Sequence, residues 1–301
     1  MVETDGSRVT AVAERELNQQ FGMELFRNDS SGLSTVEDAV RGLLETGSVQ
    51  PRKTGAVIDS SMVQIKKVPV PLGIDQDMAG RHLRWEAEQF LISPLDEYII
   101  EHQRTPFQTR EGNPVYLLIC IRRSIISKIH RIMKNAGLVL ADVDVDVFSQ
   151  LRFLTQSTVL DESRPYLFLN LDSSSAHMVL IRNNDYFLSQ VLQFRDGTEE
   201  SEYDSAAIFE AVEKELKRIM FGHDMGQGIQ DLGGIFLAGG QAAGHMAAHL
   251  EEVSDTAAEL VNPFKHLALA DGVQNTASAD RFLAAAGAVI KRFPALVTHA
   301  S

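Results

Sequence analysis

The sequence predicts a duplicated α/β fold arranged around a cleft, and three observations predict it. The chain has 301 residues, a length that ordinarily makes two domains or one large one. Each half opens on a strand hairpin and goes on to helices. No short-period repeat runs through it, which sets aside solenoids and propellers.

Composition narrows the function classes. With 44% hydrophobic and 23% charged residues the chain is globular in character. Its formal charge of −13, from 28 basic and 41 acidic residues, disfavours binding to nucleic acid or anionic lipid, because such binding rests on neutralising phosphates. There is no apolar run of membrane-spanning length, and the opening "MVETDGSRVTAVAERE" carries acids where a secretory signal carries a basic and then an apolar region, so a cytoplasmic location is expected. The single cysteine, Cys120, sits within "VYLLICI" and reads as a core residue.

In chain order, "RVTAVA" (8 to 13) and "QFGMELF" (20 to 26) alternate with period two and predict strands. "STVEDAVRGLLETG" predicts a helix with Ser34 as N-cap, Glu37 three residues on and Gly47 as stop. "GAVIDS" and "VQIKKVPV" predict two more strands, closed by Pro69 and Pro71. A helix is expected from Asp75 to Phe90, ended by Ser93-Pro94, then strands near 97 to 104 and 114 to 121. In the next helix Ile125, Ile126, Ile129, Ile132 and Met133 fall on one face, and Asn135-Ala136-Gly137 ends it. Residues 138 to 147 predict a strand, followed by a short helix and the connector "DESRPY".

The second half begins with three strands in "LFLNLDSSSAHMVLIRNNDYFLS". A helix from about 204 to 222 carries Ile208, Val212, Leu216, Ile219 and Met220 on one face. A buried strand over 234 to 240, a helix near 242 to 253 and the alanine-rich "ADRFLAAAGAVIKRF" complete it. On the helix over 75 to 90, Trp85 is expected to pack on the neighbouring sheet with Leu83, Ala87 and Phe90, leaving Glu86 and Glu88 outside.

"RWEAEQFLISPLDEYIIEHQ", the run from 114 to 154, "IFLAGG", "VNPFKHL" and "RFLAAAGAVI" together resemble the type IV pilus assembly protein PilM family, over nearly the whole chain. The resemblance implies an actin-like (ribonuclease H-like) fold, with a first domain over 1–160, a small α+β insert over 72–136, and a second domain over 161–301. It implies a cytoplasmic protein peripheral to the inner membrane, which binds the cytosolic N-terminal tail of a PilN-like membrane protein. The cytosolic domain of the type II secretion protein GspL is a related possibility. Self-association is also open.

In actin-like folds each domain offers a hairpin with an acid-x-glycine turn, where the acid organises Mg²⁺ and the glycine lets backbone N–H groups reach phosphates. The matching segments here are Glu3-Thr4-Asp5-Gly6-Ser7 and Asn170-Leu171-Asp172-Ser173-Ser174-Ser175. Asp5 and Asp172 stand where the glycines belong, and Asn170 replaces the second acid. A carboxylate ~4 Å from a phosphate charge is repelled by about 1 kcal/mol in water and about 4 kcal/mol at an effective dielectric of 20. A shifted alignment, in which Asp5-Gly6-Ser7 and Asp172-Ser173-Ser174 hold the metal, recovers one glycine. On the adenosine side Gly239-Gly240, and Glu215 with Arg218 in an E-x-x-R pattern, match the family, although a Gly-Gly pair also suits an ordinary strand-to-helix turn. The resemblance therefore implies a protein-binding scaffold with a degenerate ATP-binding site and no cofactor, with an ATP/Mg²⁺-using actin-like ATPase as the alternative.

Three other patterns carry no site. Asp142, Asp144 and Asp146 open like a calcium loop, but Val147 and Phe153 fill the glycine and glutamate positions. His245 and His249 have zinc spacing without the glutamate of H-E-x-x-H. Ser173 to Ser175 have no recognisable histidine partner.

Overall fold

The computed structural model describes residues 1–15, 17, 31–46, 53–172, 175–194, 205–273 and 279–298. The chain forms two compact units, one comprising Met1 and Ala11–Asp146, the other Val2–Thr10 and Val147–Ser301. The hairpin of β1 (Val2–Thr4) and β2 (Val9–Val12) is divided between them, its tip counted with the second.

The first unit holds a parallel pair, β3 (Thr54–Ile58) and β7 (Leu140–Val145), and an antiparallel sheet of β4 (Val63–Pro69), β5 (Tyr98–Gln108) and β6 (Pro114–Arg122) in the order β4-β6-β5. Helix α1 (Ser31–Thr46) packs on α3 (Arg123–Asn135) through Leu33, Val36 and Ile132. The expected N-cap at Ser34 is corrected: the helix starts at Ser31 and Ser34 lies exposed inside it. Burial of Leu33 draws the helix upstream of Ser34. Glu37 accepts from Asn135 Nδ2 at 2.9 Å, tying α1 to the end of α3. The strand expected over 20 to 26 and the stop at Gly47 lie outside the described residues.

Helix α2 (Gln76–Phe90) begins where the Asp75 carboxylate accepts from the Met78 N–H at 2.7 Å. Its buried stripe is Ala79, Leu83 and Ala87, set four residues apart and packed on Val68, Val70, Tyr98, Leu118 and Cys120. The expected burial of Trp85 is overturned, since it is 55% exposed and stacks on His82 with ring centroids 6.1 Å apart. Two residues advance a helix by roughly 200°, so a stripe through Leu83 places position 85 on the opposite face. Glu86, expected outside, is half-buried and reaches Lys66 at 3.9 Å, while Glu88 is exposed as expected. Burial pushes the Cys120 thiol up to about 11, in keeping with a core residue.

Strand β7 stops at Val145, two residues short of the expected end. Asp146 opens α4 (Asp146–Ser157) and accepts from the Ser60 N–H at 3.0 Å, so the Asp142-Asp144-Asp146 series turns from strand to helix. Among the described residues no three of His, Cys, Asp and Glu gather as a metal-binding set.

The second unit is built on the sheet β10-β9-β8-β11-β12. β8 (Tyr166–Leu171), β9 (Ser175–Arg182) and β10 (Asp185–Gln193) form an antiparallel meander, and β11 (Gly234–Ala238) and β12 (Ala258–Leu260) add in parallel. Every residue of β11 is buried. Helix α5 (Ser205–Gly222) buries Ile208, Val212, Leu216, Ile219 and Met220 as its spacing predicts, and α6 (Gly240–Val253) packs on α5, β8, β11 and β12. Helix α7 (Leu283–Arg292) follows a 3-10 turn over Ala279–Phe282 and packs against β1. No described helix is long and apolar enough to cross a membrane.

Candidate functional site

All the described candidate residues fall in the second unit. In the turn after β1 the chain satisfies its own backbone donors. Asp5 Oδ1 accepts from the Ser7 N–H at 2.8 Å, the Ser7 hydroxyl at 2.8 Å and the Arg8 N–H at 3.0 Å. Thr4 Oγ1 accepts from the Gly6 N–H at 2.9 Å and donates to the Arg8 carbonyl at 2.8 Å. The consecutive N–H groups of Gly6, Ser7 and Arg8 therefore point at side chains of their own turn. The Ser7 backbone N–H, then the Ser7 hydroxyl and the Arg8 N–H, hold the exposed Asp5 carboxyl down to about 2. Gly6 has φ +98, which favours glycine, and the Phe293 ring lies 3.3 Å from where a Cβ would sit. Glu3 is buried and accepts from the Thr10 hydroxyl at 3.0 Å.

The second turn lies between β8 and β9. Asn170 ends in register with His177 on one side and Ala238 on the other. Asp172 is exposed, and its N–H donates to the Ser175 carbonyl at 2.8 Å. Ser173 and Ser174 lie outside the described residues.

Gly239 and Gly240 link β11 to α6. Gly239 has φ +123, and a Cβ on it would meet the Leu171 carbonyl oxygen at 2.0 Å. This close approach sets the Gly-Gly turn directly against the end of β8. The N–H groups of Gly239 and Gly240 both donate to one carboxylate oxygen, Asp280 Oδ2, at 2.7 and 2.8 Å. Paired amides at a helix N-terminus favour an anion, and here the anion is a side chain from 40 residues downstream of Gly240. Sequence reasoning missed Asp280, whose one signal is an acid just ahead of the alanine-rich last helix.

Glu215 and Arg218 face each other one turn apart on α5. Arg218 Nε donates to Glu215 Oε2 at 2.9 Å and to Oε1 at 3.1 Å, and Nη2 reaches Gln190 Oε1 at 3.4 Å. The Arg218 hydrogen bond lowers the Glu215 carboxyl from its ordinary value. The guanidinium is thus engaged by its own helix and by β10. The fold brings the Gly239–Gly240 turn and the β8–β9 turn together.

The order of elements and sheets, with a hairpin, an antiparallel meander and parallel strands covered by helices, is that of the actin-like fold. The chain superposes on a chain of the PilM-PilN type IV pilus biogenesis complex with a TM-score of 0.74 and 19% identity, covering 97% of this chain and 94% of that one. Its fold is therefore the one resolved in that complex, as the PilM resemblance implies. Overlaps are looser with the cytoplasmic domain of EpsL, an inner-membrane component of the type II secretion system of Vibrio cholerae (TM-score 0.45, 9% identity, covering 86% of this chain and 80% of that one). They are also looser with a Bacteroides thetaiotaomicron protein of actin-like ATPase fold and unknown function (TM-score 0.44, 7% identity, 77% of each chain). No protein-family model and no curated protein matches the sequence.

Proposed function

We propose that this chain is a PilM-like cytoplasmic scaffold of a type IV pilus or related secretion assembly, which holds the cytosolic tail of a PilN-like inner-membrane protein and carries a nucleotide-like site that works without nucleotide. The observation that carries the second part is the internal use of the donors. Asp5 takes the Ser7 and Arg8 N–H groups, and Asp280 takes those of Gly239 and Gly240. A phosphate entering either place meets a carboxylate already seated there, and like charge opposes it. The first part is supported by the likeness of fold to a chain of the PilM-PilN complex. In this reading residues 1–160, with the insert over 72–136, and 161–301 are the two actin-like domains.

A tail peptide is most simply held by adding a strand to a sheet edge, where main-chain hydrogen bonds give affinity and alternate side chains give specificity. β4 and β5 are the outer strands of the antiparallel sheet, and β5 is exposed from Glu101 to Arg104. Calorimetric titration with a synthetic tail of the membrane component, with and without Mg-ATP, tests the proposal. The expected result is micromolar binding, about −8 kcal/mol, independent of nucleotide, with weak or no Mg-ATP binding by the unmodified chain at millimolar concentration. Asp5→Gly combined with Asp172→Gly should raise nucleotide affinity. Micromolar Mg-ATP binding by the unmodified chain, or peptide binding that strictly requires ATP, favours the actin-like ATPase instead. The contact between the Gly239–Gly240 turn and the end of β8 is the feature that supports that second reading.

A further inference from the structure

Acids outnumber bases in this chain by 41 to 28, yet none occurs between Glu111 and Asp142. The cations of that acid-free stretch, Arg122, Arg123, Lys128, Arg131 and Lys134, lie at the start of α3 or along it. At 100° per residue Arg123, Ser127, His130, Arg131 and Lys134 share an arc of roughly 100°. That arc is opposite the buried stripe of Ile125, Ile129 and Ile132, and all five of its residues are exposed. Lys128 stands half-buried at its flank.

The folded chain leaves this face uncompensated. Arg123 Nε donates to the backbone carbonyl of Asp96 at 2.8 Å, a neutral acceptor. The side chains of His130, Arg131 and Lys134 have no ion-pair or hydrogen-bond partner among the described residues. At the far end of the helix Glu37 accepts from the Asn135 amide, and Asp38 lies 3.5 Å from Arg41 of its own helix. Lys128, Arg131 and Lys134 follow one another three residues apart, where like charges repel. The fold holds α3 through Ile125, Ile129 and Ile132, so these cations face outward at a cost that an external anion relieves. Two features say which anion. The stripe is straight, roughly 16 Å from Arg123 to Lys134, and among the described residues no large apolar side chain of α3 is exposed. A specific protein partner is gripped by aromatic or apolar anchors, which this face lacks, whereas anionic headgroups are met by Lys and Arg on the polar side of an amphipathic helix. The chain-wide charge of −13 does not forbid the contact, because exposed charges more than about 8 Å apart are largely screened at physiological salt.

We propose that the exposed face of α3 is a docking surface for an anionic phospholipid bilayer, met at headgroup depth by Arg123, Arg131 and Lys134 with Ser127 and His130 between them. This rests on the reading of the chain as peripheral to the inner membrane, and on neither the tail site nor the nucleotide-like site. The contact is weak by itself, each cation near an anionic surface adding about fivefold in affinity. A tail that tethers the chain beside the membrane raises the effective concentration of such a contact.

Flotation of the full chain with vesicles of phosphatidylcholine and phosphatidylglycerol, against vesicles of phosphatidylcholine alone, tests it. No tail peptide or nucleotide is added, so failure here is distinct from failure of the calorimetric test of tail binding. Retention is expected on the anionic vesicles at low salt, falling as salt is raised, and none on the neutral ones. Arg131→Gln/Lys134→Gln should weaken retention by roughly 25-fold. Arg81→Gln/Arg84→Gln, which removes two exposed cations of α2, should leave it unchanged. All four side chains are exposed, so circular dichroism and melting should be the same in both variants. The proposal is overturned by a chain that does not float with anionic vesicles, by equal retention on neutral ones, or by equal losses in the two double variants, which would mean diffuse charge in place of a face. A synthetic oligoglutamate peptide that binds through Arg131 and Lys134 while the anionic vesicles retain nothing would also overturn it and assign the face to an acidic protein segment.

Discussion

Gly239 lies so close to Leu171 that a Cβ placed on it would sit 2.0 Å from the Leu171 carbonyl oxygen and 2.8 Å from its carbonyl carbon. Backbone against backbone is the contact that locks the start of α6 to the end of β8. Two independent conditions therefore demand glycine here, the φ of +123 and the missing space.

Gly239→Ala should destabilise the second unit by about 1 to 3 kcal/mol from backbone strain, with the clash adding to that. Urea unfolding monitored by far-UV circular dichroism measures it. An unchanged midpoint would show that the turn relaxes away from β8 without cost.

Asp280→Ala removes the carboxylate shared by the Gly239 and Gly240 N–H groups. Loss of a helix-terminal acceptor costs about 1 kcal/mol, so a small drop in melting temperature is expected. The same change frees the donor pair, and calorimetry should then detect tighter binding of Mg-ADP than to the unmodified chain. A variant that melts lower and still ignores Mg-ADP would mean that Asp280 acts as a structural cap alone.

Trp85→Ala and Leu83→Ala separate the two faces of α2. Leu83 is fully buried, and its truncation should cost about 2 to 5 kcal/mol. Trp85 is mostly exposed, and its truncation should stay within about 0.5 kcal/mol in dilute protein. Thermal melts of the two variants at low concentration suffice to compare them.

The Asp5 turn should resist acid. Its carboxyl is held at about 2, below the ordinary 3.8, chiefly by the Ser7 N–H, with the Ser7 hydroxyl and the Arg8 N–H adding to it. A depressed folded value means that the stabilisation is complete above the unfolded value and is lost as pH falls through about 2. Carbon-detected NMR titration of the Asp5 carboxyl should find its midpoint near 2, with the Ser7 and Arg8 amide signals moving together. A midpoint at the ordinary value would mean that those hydrogen bonds do not persist in solution.

Much of the fold was legible because it rests on local periodicity. The face of α5, the meander of β8 to β10 and the apolar stripe of α3 follow from spacing alone; the structure buries the α5 face and Ile125, Ile129 and Ile132 of α3, and leaves Ile126 and Met133 half-buried. The site was legible in position more than in state. That Asp5 occupies a turn where glycine is usual can be read along the chain. That its carboxylate accepts from the Ser7 and Arg8 backbone N–H groups is a matter of a few tenths of an ångström. The reading of Trp85 failed for a simpler reason. Its large apolar ring was assigned to the core although its spacing from Leu83 puts it on the other side of the helix, and position outweighs side-chain size.

By itself the sequence determined the α/β class, the order of strands and helices from β3 to α6, and the presence of Asp5 and Asp172 in the two turns, because each depends on residues within a few positions of one another. Only the tertiary structure decided that Asp280 is seated on the Gly239 and Gly240 amides, that Gly239 touches Leu171, and that Glu37 ties α1 to α3. Those contacts join residues from 40 to 98 positions apart. Local propensity carries no information about which distant donor an acceptor will meet; only the packing of the finished fold brings the two together.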